Sequence, residues 1–248
     1  YMDLAPQDRG ENIRREICLT LEQMGIKPES SHHEEGPGQN EIDFRYSDPL
    51  TAADNVMTFQ TVVNTVAKRN GLYADFTAKP LETLPGNGFH INFSVLSENE
   101  SNIMPYTIAG VLDKAVEMTA FLNPTEKSYE RLGNNKAPKY VSWSSENRSQ
   151  LVRIPAAYGE YKRAELRSPD PTVNPYIAFA LIIYAGLYGI ENKLDLPYVA
   201  DFNLYTADEA ELAKFQKLPA TLDEAKRIAL GSQFIKEHIP EKILEILK

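Results

Sequence analysis

The sequence predicts an α+β fold: a curved antiparallel β-sheet, forming a partial barrel, backed by helices and followed by a helical C-terminal extension from about 195 to 248. Two observations carry this expectation. Several short segments alternate charged and apolar residues with a period of two, which gives strands one apolar and one charged face and suits an antiparallel sheet. Between them run longer segments with apolar residues at helical spacing, bounded by capping residues, proline and glycine. There is no internal repeat, low-complexity tract or Gly/Ser linker, so residues 1–248 read as one domain.

In chain order, Ile13, Ile17, Leu21 and Met24 form a helical stripe after Asp8 and Gly10, stopped by Gly25 and Pro28; Cys18 falls on the same stripe and reads as a core filler. A polar loop, 31–41, follows, dense in possible ligands. Adjacent histidines point apart in an extended chain, so His32 and His33 do not suit one ion, and Glu34 and Glu41 are the better candidates. A solvated acidic loop is the alternative. Glu41, Asp43 and Arg45 then alternate with Ile42, Phe44 and Tyr46 as a strand. Asp48-Pro49 caps a helix carrying Ala52, Val56, Phe59, Val63 and Val66, which ends near Gly71. Residues 72–78 alternate again, and Pro85-Gly86-Asn87-Gly88 turns into a strand where His90, Asn92 and Ser94 face away from Phe89, Ile91, Phe93 and Val95. Gly86 and Gly88 suit close ligand approach or simply the turn.

A helix over 106–120 leads to a loop with Tyr129, Arg131, Gly133, Asn134, Asn135 and Lys136, which has the composition of a mobile lid. Strands at 140–144 and 151–154, a tyrosine-rich turn and a strand at 163–167 follow. The apolar run 176–188 is too short to span a membrane and reads as a buried helix after Asn174-Pro175. In the tail, Thr206 with Glu209 and Thr221 with Glu224 have capping-box spacing, and His238 reads as packing.

A net charge of −9, from 26 basic and 35 acidic residues, argues against nucleic acid or an anionic membrane as the main partner. The one cysteine excludes an internal disulfide and a thiolate metal cluster, in keeping with a reducing cytoplasm. No signal-peptide pattern is present, and the chain opens at Tyr1 heading straight into a helix, as a piece of something longer does.

Against that acidic background, Arg131, Arg148, Arg153, Arg163 and Arg167 crowd into one region. In the last strand Arg163, Glu165 and Arg167 share a face opposite Ala164 and Leu166. Alone, that face reads as a surface charge ladder; with Glu34, Glu41 and His90 it suits divalent metal ions beside a polyphosphate or carboxylate, with arginine forks neutralising the anion. Magnesium or manganese, not zinc, is implied, and a sheet lined in this way fits phosphoryl transfer. No Walker loop, kinase signature or nucleophile elbow occurs.

His32-His33-Glu34 with Gly38-Gln39-Asn40-Glu41, Gly86-Asn87-Gly88-Phe89-His90, Asn147-Arg148-Ser149 with Arg153-Ile154-Pro155, and Arg163-Ala164-Glu165-Leu166-Arg167-Ser168-Pro169-Asp170-Pro171 stand in the order seen in glutamine synthetases. Over nearly its whole length the chain resembles their catalytic domain. The resemblance implies an ATP-dependent ligase joining glutamate and ammonia through γ-glutamyl phosphate, with magnesium or manganese ions and ATP as co-substrate, in a cytoplasmic, ring-forming homo-oligomer. By that resemblance Glu34 and Glu41 bind one metal and His90 and Glu165 another. Gly86, His90, Arg131 and Arg167 bind glutamate. Ser94, Arg148, Arg153 and Arg163 contact the nucleotide, Arg148 and Arg163 acting on the transferring phosphoryl group.

Three departures accompany the resemblance. The family's N-terminal β-grasp domain and a Glu-x-Glu strand, one ligand for each metal, are expected before Tyr1, so the isolated chain is expected to be inactive. The flap after Arg131 reads Gly133-Asn134-Asn135-Lys136-Ala137-Pro138, with Lys136 where the family has a glutamate, which favours an acceptor amine other than ammonium. Pro85 stands where an asparagine is usual. The alternatives are a γ-glutamyl ligase using another amine and a non-catalytic binding or structural relative.

Overall fold

The structure, a computed structural model, describes residues 1–98, 102–145, 147–157, 159 and 162–248. Contacts divide it into two compact units, Tyr1–Phe76 with Pro80–Asn87, and Thr77–Lys79 with Gly88–Lys248.

In the first unit α1 (Glu11–Gln23) and α2 (Pro49–Arg69) pack on a two-stranded hairpin of β1 (Pro28–His33) and β2 (Asn40–Phe44). Ile17, Leu21, Ile26, Val62 and Val66 form its core, as the helical stripes require. Met24 departs from its stripe and is exposed, because the helix ends there, while Cys18 is half-buried. Buried Arg14 bonds Asp8 Oδ2 at 2.6 Å and Asn40 Oδ1 at 2.6 Å, tying α1 to β2. Asp48 caps α2 by accepting from Thr51 N at 3.1 Å.

Two expectations change here. Part of the supposed loop, through His33, is a strand: pairing with Asn40–Phe44, not an apolar alternation, recruits Pro28–His33. Residues 72–78 form no strand, since no neighbouring strand offers them a ladder.

The second unit contains β3 (Ile91–Phe93), α3 (Met104–Leu122), α4 (Glu126–Arg131), β4 (Trp143–Ser144), β5 (Val152–Arg153), β6 (Ala164–Leu166), α5 (Pro175–Glu191), α6 (Glu209–Leu212), α7 (Leu222–Gly231), α8 (Gln233–His238) and α9 (Glu241–Leu247). Its sheet has the order β3-β6-β5-β4. β6 pairs antiparallel with both neighbours, but β4 runs parallel to β5, with Trp143 opposite Val152. The sheet is therefore mixed, and no closed or partial barrel forms among the described residues. In the connection between β4 and β5, buried Gln150 donates from Nε2 to Ala200 O at 2.6 Å and Phe202 O at 3.0 Å, so its partners lie in the segment after α5.

Ile91, Val152, Ala164 and Leu166 present the sheet's apolar face to α3 and α5. These helices approach at Gly110 and Gly189: a Cβ on Gly110 would lie 2.0 Å from Ala185 O, and one on Gly189 2.1 Å from Tyr106 O. Asn174 caps α5, accepting from Tyr176 N and Ile177 N. This helix is not buried all round, since Tyr176, Ile183, Tyr184 and Leu187 fall on one exposed stripe.

The C-terminal helices contribute Ala225, Ala229, Phe234, Ile235, Ile239 and Leu244 to the main core, so this region is integral and not appended. Thr221 caps α7 by accepting from Glu224 N at 3.2 Å. Thr206 caps nothing; Asp208 accepts from Glu211 N at 2.8 Å and starts α6 later than expected. His238 packs its ring 4.1 Å from that of Tyr184. The expected tyrosine-rich turn, with Tyr158 and Tyr161, lies outside the described residues. No helix is long and apolar enough to cross a membrane among the described residues.

Candidate functional site

The first unit's candidate residues sit at the hairpin end. His32 pairs with Glu41 across β1 and β2, and the turn closes through Glu34 N donating to Gln39 O at 2.9 Å. Gly38 has φ +69°, a left-handed conformation that favours glycine. The Gln39 side chain accepts from Gly36 N at 3.0 Å and donates to Gly86 O at 3.0 Å and Asn87 Oδ1 at 2.9 Å, which fixes the Gly86 turn against the hairpin.

One ligand atom from each of His32, Glu34 and Glu41 lies within 4.8 Å of the others. Around an ion with bonds of about 2.1 Å, adjacent ligand atoms stand about 3 Å apart, so these three would have to draw together to share one ion. Two carboxylates and one imidazole suit manganese and accept magnesium. The sequence singles out Glu34 and Glu41, and the structure brings His32 beside them. His33 bonds the Glu34 carbonyl instead, so the two histidines do diverge. The signal for His32 was its register opposite Glu41, which exists only once the hairpin is known.

In the second unit the charged face of β6 is buried and not a surface ladder: Glu165 is 4% exposed and Arg167 5%. Glu165 Oε1 accepts from Arg167 Nη1 at 2.8 Å and lies 3.2 Å from His90 Nδ1; its Oε2 accepts from Arg153 Nε at 2.5 Å. Burial would raise the Glu165 carboxyl, but the His90 bond and the Arg167 and Arg153 charges outweigh it and hold its pKa at about 2. Burial pushes the His90 pKa down, helped by Arg167 and Arg131 and opposed by Glu165, so the ring is neutral near pH 7.

Arg131 ends α4 and is 3% exposed. Its Nη1 donates to Ser168 O at 2.7 Å and its Nη2 to Arg167 O at 3.3 Å, with no carboxylate at ion-pair distance among the described residues. Burial lowers its pKa to about 10, against the pull of Asp170. A Cβ on Gly88 would lie 2.7 Å from His90 Nε2 and 3.1 Å from Arg131 Nη2, so the glycine leaves room where two polar groups converge.

The remaining candidates are more open. Arg148 and Ser94 are exposed, and Arg163 donates from Nε to Asn92 Oδ1 at 2.9 Å. Asn147 Oδ1 accepts from Ser149 N and Ser149 Oγ, both at 2.8 Å, a local turn around Arg148. The expected lid is in part a helix, because Thr125 caps Glu126–Arg131. Only then does the chain enter a loop with Gly133, Asn135 and Lys136 at positive φ, whose Lys136 carbonyl accepts from Arg167 Nη2 at 3.4 Å.

The family model of the glutamine synthetase catalytic domain matches residues 1–247. A glutamine synthetase of Methanosarcina mazei is 44% identical over 98% of this chain and 58% of its own length. One of Staphylococcus epidermidis is 44% identical over 99% of the chain and 60% of its own. The chain thus spans about three-fifths of the relatives it matches. Two solved structures of GmaS share the fold. The ADP complex has a TM-score of 0.85 at 31% identity, covering 96% of this chain and 59% of that one. The ligand-free form has a TM-score of 0.86 at 32% identity, covering 99% and 59%.

Proposed function

Because this chain belongs to the glutamine synthetase family, matched over residues 1–247, we propose that it supplies glutamate- and nucleotide-handling groups of an ATP-dependent glutamate–ammonia ligase. The observation that carries the reading is Arg131. A guanidinium buried without a contacting carboxylate costs several kcal/mol, which a bound anion offsets. Its Nη2 lies beside Gly88 and His90, where a substrate carboxylate has room to approach.

In this reading Arg131, Arg167, His90 and Gly86 bind glutamate, while Arg148, Arg153, Arg163 and Ser94 meet the ATP phosphates. The similarity to an ADP-bound GmaS supports a nucleotide. The glutamate γ-carboxylate attacks the terminal phosphorus of ATP and ADP leaves; the amine then attacks the acyl carbon, and phosphate leaves with an oxygen that came from glutamate. Arg148 and Arg163 stabilise charge on the transferring group. His32, Glu34 and Glu41 would hold one divalent ion and His90 with Glu165 another; such ions, when bound, neutralise phosphate charge. As it stands Glu165 has both oxygens engaged by arginines, so serving as a ligand requires it to exchange one guanidinium.

Both units belong in this reading to one catalytic domain, since one family description spans them. A cytoplasmic setting and a ring-forming homo-oligomer complete it. Another amine acceptor is favoured by Lys136, which stands where the family resemblance places a glutamate, in a loop whose Lys136 carbonyl accepts from Arg167 Nη2. The test is ADP formation by the protein carrying this chain, given magnesium, glutamate and either ammonium or a panel of primary amines. Glutamate-dependent ADP release with any of them supports the ligase; ADP binding without turnover supports a non-catalytic relative.

A further inference from the structure

Asn123 closes α3 and is fully buried. Both hydrogens of its amide are used: Nδ2 donates to Ser168 O at 2.7 Å and to Asp170 Oδ2 at 3.1 Å. Both partners are acceptors, so the amide orientation is fixed, and Asn123 Oδ1 is left buried without a hydrogen-bond partner. An orphaned buried carbonyl is destabilising, because it gives up its hydrogen bond to water and gains none. A residue kept at that cost is kept for its donors.

What those donors hold is the platform under Arg131. Ser168 O accepts from Asn123 and from Arg131 Nη1 together, Arg167 O accepts from Arg131 Nη2, and Pro169 O accepts from Phe89 N at 2.9 Å. Three successive carbonyls thus hold Arg131 and the segment that leads through His90 into β3. Asp170, fully buried, is itself fixed by Thr172 N at 3.0 Å and supplies a negative charge that does not touch Arg131. The guanidinium keeps a counter-charge nearby and gives one hydrogen bond from each terminal nitrogen to a backbone carbonyl, so each keeps a second N–H for a ligand.

We propose that Asn123 is a positioning residue, which with Asp170 locks the Ser168 carbonyl and thereby aims Arg131 at an anionic substrate. The proposal rests on the reading of Arg131 as a carboxylate receptor.

A double-mutant cycle tests it, with glutamate binding measured by calorimetry in the protein carrying this chain and magnesium-ATP binding as a control for folding. Asn123→Ala is expected to weaken glutamate about tenfold while nucleotide affinity stays within twofold, and to have no further effect in an Arg131→Ala background. Equal losses for both ligands, or additive effects in the double variant, mean that Asn123 only supports the fold and overturn the proposal. Wild-type protein that binds nucleotide but no glutamate overturns the receptor reading, and the positioning role with it. Wild type that binds glutamate no better than Asn123→Ala overturns the positioning role alone.

Discussion

Arg153 and Glu165 face each other across β5 and β6, and Arg153 Nε donates to Glu165 Oε2 at 2.5 Å. Arg167 grips the other carboxylate oxygen at 2.8 Å, so one buried anion holds two guanidiniums in place. Glu165→Gln leaves both without an anionic partner. The expected loss is about 3–5 kcal/mol, read from urea denaturation, and it should exceed that of Arg153→Met, because Arg153 is more exposed than Arg167.

The same cluster sets an acid limit. The Glu165 pKa, held at about 2, lies below its ordinary 4.5, so its contribution to stability is complete above pH 4.5 and disappears as pH falls towards 2. The lowered His90 pKa acts in the same direction from a higher starting point: the unfolded chain takes up a proton below about 6.5 that the folded one resists. In chelator, the melting temperature should begin to fall below pH 6.5 and fall more steeply below 4.5. His90→Gln should abolish the upper part of that decline.

Manganese affinity should depend on the hairpin. Glu41→Gln is expected to weaken both manganese and magnesium at least tenfold, by titration with manganese resonance detection and magnesium competition. His32→Gln should weaken manganese more than magnesium, because imidazole suits the softer ion. Equal effects on both ions would assign His32 to orienting Glu34, which lies 3.2 Å from it.

The α3 and α5 crossing tolerates no side chain. Gly110→Ala drives a methyl group to within 2.0 Å of Ala185 O, backbone that cannot swing aside. A loss of about 1–3 kcal/mol or more is expected in thermal or urea unfolding, although alanine is the better helix former.

Much of this was legible in the sequence wherever a local rule decided the outcome. Asp48-Pro49 and Asn174-Pro175 start helices as capping chemistry requires, and the period of two placed Ala164 and Leu166 in the core with Glu165 opposite. What was hidden depends on partners far along the chain. The burial of Glu165 goes with arginines on another strand and beside it, the parallel pairing of β4 with β5 is a matter of long-range register, and the grouping of His32 with Glu41 comes from hairpin register. Asn123 is bonded to a carbonyl 45 residues away, which no local rule reveals.

The most direct test of the ligase reading follows the oxygen. Glutamate labelled with oxygen-18 in its γ-carboxylate, incubated with ATP, magnesium and the acceptor amine in the protein carrying this chain, should transfer one labelled oxygen to each phosphate released. Phosphate released without label, or no glutamate-dependent phosphate with any amine, would contradict a γ-glutamyl phosphate intermediate and with it the account given for Arg131 and its neighbours.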